Sequence, residues 1–259
     1  MKNDLFDLTN KVALITGGNG GIGLGFAQGI AKQGGSVCIW GRNQEKNQQA
    51  LKCLQPFDTK VHVIHCDVAN ETAVENAFAE TLDVFGRVDG CFANAGVGGG
   101  GRFDELTTEE WQRVLSVNLD GLFYTLRCAA KHMKARAEQG DPGGRLVGTS
   151  SIGAKAGMAK FEAYAGSKGA VLAIMQGLAI EYARYGVTAN SILPGHIETA
   201  MTEKNYQNEK FANAVMPRIP ARRWGKPEDF EGIAAYLMSD ASSYHTGDRF
   251  VIDGGFLMF

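Results

Sequence analysis

Short, nearly continuous apolar runs recur along the chain at residues 12–16, 36–40, 61–65, 90–93, 145–149, 188–193 and 250–252. Runs of this length with little alternation predict strands covered on both faces. Between them the pattern lengthens to helical periodicity at 22–32, 45–54, 71–85, 109–136, 162–185 and 227–238. Thr107-x-x-Glu110 offers a capping box at the start of the fourth. Strands alternating with helices predict a parallel sheet with right-handed crossovers. The expectation is an α/β fold: a single-domain, Rossmann-type doubly wound sheet of about seven strands with helices on both faces. No repeat or linker divides residues 1–259. The pattern breaks at the glycine run 96–101 and at the turn 139–144. From about 196 to 224 the periodicity weakens, which predicts a segment that covers a substrate site.

One helix is unusual. Residues 169–180 are apolar on nearly every side, which predicts a helix buried all round. The apolar end Phe256-Leu257-Met258-Phe259 would be a liability if exposed. Both point to contacts between subunits.

Composition narrows the classes. Apolar residues make up 44% of the 259 and charged residues 21%, with a formal net charge of −2. That balance can bury a large core. A charge so near zero removes the electrostatic case for nucleic acid or an anionic membrane as the main partner. No uncharged stretch reaches the ~20 residues of a membrane span, and Lys2, Asp4 and Asp7 leave no room for a signal-peptide core. Cys38, Cys53, Cys66, Cys91 and Cys128 are odd in number and widely spaced. Free thiols and a cytoplasmic location are expected, not a disulfide framework or a zinc site. His62, His65 and Cys66 invite a metal, but strand positions three apart face opposite sides of a sheet. No metal is expected. The outlier is glycine, with 34 residues, and glycine lets a backbone turn sharply or approach a ligand closely.

Thr16-Gly17-Gly18-Asn19-Gly20-Gly21-Ile22-Gly23 leaves the first predicted strand and opens the first helix. In that context glycines admit a pyrophosphate, and the helix N-terminus offers free N–H groups and a positive dipole end. Gly17, Asn19, Gly20, Gly21, Ile22 and Gly23 are the candidate cofactor contacts. The second strand ends at Trp40-Gly41-Arg42. An acid there would hold the ribose 2′-OH of NAD, whereas an arginine accommodates the 2′-phosphate of NADP. Arg42 leans toward NADP, with NAD the alternative.

Tyr164 and Lys168 are four residues apart on a predicted helix and share a face. An ammonium beside a phenol favours the phenolate, which suits a tyrosine to general acid–base work. Ser150 and Ser151 follow the fifth strand. Asp67-Val68 ends the third, Asn94-Ala95-Gly96 the fourth and Pro194-Gly195 the sixth. Ligands of open α/β sheets bind outside those strand ends. Met158 and Phe161 lie between Ser151 and Tyr164, and His196 follows Pro194-Gly195. All three are candidate substrate contacts.

With Asn118 in Ser116-Val117-Asn118 and the Asp253-Gly254-Gly255 end, these motifs carry a resemblance over essentially the whole chain. The sequence resembles the short-chain dehydrogenase/reductase family. The resemblance implies an NAD(P)-dependent oxidoreductase that interconverts a secondary alcohol and a ketone. It implies that Tyr164 exchanges a proton with the substrate oxygen, Lys168 lowers the tyrosine pKa and holds the nicotinamide ribose, and Ser151 binds the carbonyl. It gives Asn118 a water-linked proton relay, Asp67 the adenine, and Asn94 and Gly96 the adenosine side. Ile197 and Thr199 would meet the carboxamide. A homotetramer or homodimer is implied too. Ala93 stands where the family often has asparagine, and Gly20 where some NADP enzymes carry a basic residue. Members acting on sugar acids such as gluconate and members reducing 3-oxoacyl thioesters are both similar. A thioester reductase needs a basic patch for its acidic carrier, and Arg127, Lys131, Lys134 and Arg136 are the candidates. The rival from another class is a non-catalytic dinucleotide-binding sensor or scaffold, against which Asn118, Ser151, Tyr164 and Lys168 stand together.

Overall fold

The computed structural model describes residues 5–258; the expectations for residues 1–4 and Phe259 lie outside it. Seven strands among the described residues form one sheet. They are β1 Val12–Thr16, β2 Ser36–Gly41, β3 Val61–His65, β4 Gly90–Ala93, β5 Gly144–Thr149, β6 Val187–Pro194 and β7 Arg249–Ile252. Their order is β3-β2-β1-β4-β5-β6-β7, with every pair parallel. The helices are α1 Gly21–Lys32, α2 Gln44–Leu54, α3 Glu71–Phe85, α4 Thr108–Leu115, α5 Gly121–Glu138, α6 Glu162–Tyr182, α7 Glu203–Tyr206, α8 Glu209–Val215 and α9 Glu231–Met238.

Alternation of side chains along each strand divides the core in two. Leu14 and Cys38 join the cluster under α3, α5 and α6, with Phe78, Leu126 and Met175. Ala13, Ile15 and Ile39 join the cluster under α1, α2 and α9, with Phe26, Leu54 and Leu237. Both faces being covered, β1, β4, β5 and β6 are buried end to end. Strand order reverses between β1 and β4, which opens a crevice at their carboxyl ends.

The helix expected over 109–136 is interrupted. After α4 the chain makes a π-helical turn at Ser116–Asp120, and only then does α5 begin. A one-residue bulge hardly disturbs the apolar period, so the sequence pattern does not reveal it. Its yield is local: Asn118 points inward and holds Val97 by two hydrogen bonds, Val97 N–H to Oδ1 at 2.8 Å and Nδ2 to the Val97 carbonyl at 3.0 Å. Half of the capping box forms, Glu110 N–H donating to Thr107 Oγ1. The Glu110 carboxylate turns instead to Arg113.

The stretch 169–180 is not buried all round. Val171, Leu172, Met175 and Ala179 face the core, whereas Ala173, Gly177 and Ile180 are exposed. At the C-terminal end Phe256 is buried and Met258 is exposed. Phe256 belongs to a third cluster with Ile152, Val215, Ile219 and Trp224, under the segment 196–224. The two ends of that segment meet: Ile197 and Gly225 form a parallel bridge, with Glu198 N–H on the Gly225 carbonyl and Gly225 N–H on the His196 carbonyl.

His62 bonds Glu80 and His65 is exposed. Among the described residues no three His, Cys, Asp or Glu side chains gather as a metal set, and no helix is long and apolar enough to cross a membrane. All five cysteines are unpaired.

Candidate active site

The turn from β1 to α1 brings backbone, not side chains, to the crevice. Gly17 and Gly21 take left-handed φ values of 63° and 51°. At Gly21 a Cβ would also press on Thr199 Cγ2 at 3.1 Å, whereas nothing lies within 4 Å of the Cβ position at Gly20. Around Gly20 the first turn of α1 is open, and its leading N–H groups have no intrahelical acceptor. Such a cradle accepts a pyrophosphate. Asn94 braces it, Nδ2 donating to the Thr16 carbonyl at 3.1 Å. Thr16 Oγ1 accepts from both Asn94 and Ala95 N–H at 3.0 Å. Asn94 is thus a strut under the cradle, and Thr16, which heads the motif but is not among the candidate contacts, supports it.

From this cradle a cleft of about 310 Å³ runs past Asn94, Ala95 and Gly96 to Ser151, Tyr164 and Lys168, and then to Pro194, Gly195, Ile197 and Thr199. The end of β5 and the first turns of α6 supply its chemistry. Lys168 Nζ donates to the Thr149 carbonyl at 2.8 Å and stands 5.9 Å from the centre of the Tyr164 ring. A Cβ on Gly96 would sit 3.3 Å from Asn118 Oδ1 and 3.4 Å from Lys168 Nζ. Only glycine leaves the space between those two groups free. Asn118 Nδ2 also donates to Ser167 Oγ, and Ser167 donates to the Tyr164 carbonyl. Ser150 Oγ donates to the Lys168 carbonyl. Ser151 Oγ accepts from Gly153 N–H at 3.0 Å, which leaves its own proton to give.

Electrostatics differ from the sequence expectation. Burial pushes the Tyr164 phenol above its ordinary value, and a hydrogen bond with Ser151 opposes the rise. Burial depresses the Lys168 ammonium to about 8. Burial disfavours the charged form of each, which displaces the two groups in opposite directions.

At the other end a second hollow is lined by Gly17, Asn19, Trp40, Gly41, Arg42, Lys46, Val68 and Gly96. Asp67 is not in its wall; its carboxylate faces Arg42 at 3.4 Å and accepts from Ala69 N–H. Gly41 occupies the place of the expected acid for a structural reason. Asn19 Nδ2 donates to Asn47 Oδ1 at 2.6 Å, Asn47 Nδ2 donates to the Gly41 carbonyl, and a Cβ at 41 would lie 2.2 Å from Asn19 Nδ2. Lys46, on the first turn of α2, lines both this hollow and the main cleft. It lies four residues beyond Arg42, inside a predicted helix, where sequence alone gives no reason to separate it from solvated lysines.

Of the three substrate candidates, His196 departs. Its ring packs edge-on against Trp224, Phe256 and Phe211 at 5.2, 4.8 and 6.1 Å. It belongs to the third cluster and not to the cleft wall, because the bridge at Ile197 turns the preceding side chain away. Met158 and Phe161 are not in the wall of the main cleft either; they lie beside it. A Cβ on Gly153 would meet Met158 Sδ and Ser151 Oγ, and one on Gly100 would meet the Phe161 ring. The basic run on α5 is largely neutralised: Arg127 pairs with Glu71 and Glu75, and Arg136 with Asp89 and Asp141.

The family described as Enoyl-(Acyl carrier protein) reductase matches residues 17–257. Gluconate 5-dehydrogenase of Gluconobacter oxydans (strain 621H) is 32% identical over 252 residues, 97% of this chain and 96% of that protein. The chain belongs to the short-chain dehydrogenase/reductase family. A 3-oxoacyl-acyl-carrier-protein reductase of Chlamydia pneumoniae is 34% identical over 249 residues, covering 96% of this chain and 97% of its own. The crystal structure of a gluconate 5-dehydrogenase from Burkholderia cenocepacia J2315, in complex with NADP and tartrate, superposes with a TM-score of 0.92 at 32% identity, over 99% of this chain and 98% of that one. As a short-chain dehydrogenase/reductase the protein is an NAD(P)-dependent oxidoreductase acting on CH–OH groups, and it interconverts an alcohol and a ketone.

Proposed function

We propose that this enzyme uses Tyr164 as the general acid–base, Ser151 as the hydrogen-bond donor to the substrate oxygen, and NADP as its preferred cofactor. The observation that carries the reading is one continuous cleft joining the glycine cradle to Ser151, Tyr164 and Lys168. The cofactor, when bound, supplies or takes up the hydride. Gly17, Asn19, Gly20, Gly21, Ile22 and Gly23 would hold its pyrophosphate, Asn94, Ala95, Gly96 and Val68 its adenosine side, and Pro194, Gly195, Ile197 and Thr199 its nicotinamide end. Ser151 turns its proton to the carbonyl oxygen and steadies the charge that develops there. The raised pKa keeps the Tyr164 phenol protonated at neutral pH, ready to give its proton to that oxygen. Lys168, held by Thr149, binds the ribose. With Asn118 across the gap at Gly96, it returns a proton toward solvent. Arg42 and Lys46 together supply the positive charge for a 2′-phosphate. Residues 196–224, braced by their own apolar cluster, cover the substrate.

Exchange of Tyr164→Phe tests the assignment. Turnover should fall by about 10²- to 10⁴-fold, the range for a general acid. NADPH binding, followed by its fluorescence, should stay within about twofold, since the ring remains. Unchanged turnover would remove Tyr164 from the chemistry.

Two wider readings belong to the same proposal. The exposed apolar residues Phe123, Ala173 and Ile180 on α5 and α6 support a homodimer or homotetramer. Five unpaired cysteines support a reducing, cytoplasmic setting.

A further inference from the structure

We propose that the substrate is an electrically neutral ketone with apolar groups beside its carbonyl, and not a keto acid. The inference rests on the reading of Ser151 and Tyr164 as the oxygen-binding pair and adds what surrounds them. Among the described residues, the charged side chains lining the main cleft are Lys46 and Lys168. Lys46 also lines the hollow beside Arg42, so it lies at the cofactor's phosphate end. Lys168 is buried and its ammonium is committed to the Thr149 carbonyl. Neither is placed to receive a carboxylate attached to the substrate.

The mouth repeats the theme. The rim from Gly96 to Gly101 is glycine except for Val97, so it offers backbone and almost no side chain. The arginines that follow are already engaged: Arg102 with Asp104 and Glu105, Arg113 with Glu110 and the Gly98 carbonyl. Apolar side chains stand at the rim instead, and the exposed Lys155 and Lys160 of the neighbouring loop are not among the residues lining the cleft. Met158 Sδ flanks Gly153 opposite Ser151 Oγ, the Phe161 ring lies on Gly100, and Met201, reaching over from the covering segment, comes within 3.8 Å of the Cβ position at Gly98. A carboxylate entering this frame would lose water without gaining a partner, whereas an apolar group would be sheltered.

A matched pair isolates the charge. The purified enzyme with NADPH is assayed on benzoylformate and on its methyl ester, which share one ketone, with 5-ketogluconate and 4-methylcyclohexanone alongside. The ester should exceed the acid in kcat/KM by about 100-fold or more, a scale set by leaving a buried group unpaired. 4-Methylcyclohexanone should exceed 5-ketogluconate. Met158→Arg, which sets a cation near Ser151, should narrow the ester-to-acid ratio while NADPH binding by fluorescence stays unchanged. Equal or better turnover of either keto acid by the unaltered enzyme would overturn the substrate class and leave the chemistry of Tyr164 standing. Silence on all four compounds, with NADPH still bound, would overturn the oxygen-binding pair itself and this inference with it.

Discussion

Lys168 is buried, and its ammonium donates to one backbone carbonyl, that of Thr149. Its pKa falls from 10.5 to about 8 because burial disfavours the charged form. The unfolded chain therefore holds a proton between about pH 8 and 10.5 that the folded chain has released, and stability rises with pH across that window. Below about 8 the penalty is fully present. Lys168→Met should abolish turnover yet raise the unfolding free energy at pH 7 by up to about 3 kcal/mol, seen as a higher thermal midpoint. The gain should shrink as calorimetry is repeated toward pH 10. Tyr164 is displaced the other way, so its phenol stays protonated well past neutrality. Ketone reduction should then hold a flat kcat/KM through neutral pH and decline only in alkali. Alcohol oxidation, which needs the phenolate, should climb over the same alkaline range. Parallel profiles in the two directions would contradict this. The residue types were legible in the sequence, since Tyr-x-x-x-Lys fixes their relation on any helix. Their pKa directions were not, because depth of burial has no local signature.

The junction of the glycine turn, β2 and α2 governs the far end of the cleft. Asn19, Gly41 and Asn47 interlock there, and the interlock closes the position where a carboxylate would select NAD. Gly41→Asp should therefore fail to create an NAD enzyme and should instead weaken binding of both cofactors. Lys46→Ala should weaken NADPH binding about tenfold while leaving NADH binding within about twofold, as expected for one exposed charge on a phosphate. Equal losses by titration would detach Lys46 from the phosphate. Most element boundaries were readable to within a residue, since the period changes sharply from strand to helix. The π turn at Ser116–Asp120 was hidden because it slips one residue inside an unbroken apolar pattern. His196 misled because its partners, Trp224 and Phe256, come from the far side of the sequence.

At the scale of the molecule, two packed faces of one sheet leave α6 with its outer side bare. Ile180 is 83% exposed. If subunits meet there, Ile180→Glu should shift the sedimentation coefficient to that of a smaller species without changing the circular dichroism of the fold. An unchanged coefficient would move the interface elsewhere. The fold class was legible from alternation alone, whereas this bare side was not: a stretch apolar all round does not say which side stays uncovered.

The bridge between Ile197 and Gly225 has a consequence for how such an enzyme could diversify. The chain leaves the end of β6 and comes back beside it at Gly225, through one closed neck, before it enters α9. The entropy of closing a loop grows only with the logarithm of its length, about 0.6 kcal/mol for each doubling. What lies beyond the neck can therefore lengthen or shorten at little entropic cost while the scaffold below keeps its register, so long as Val215, Ile219 and Trp224 keep their seat on Ile152 and Phe256.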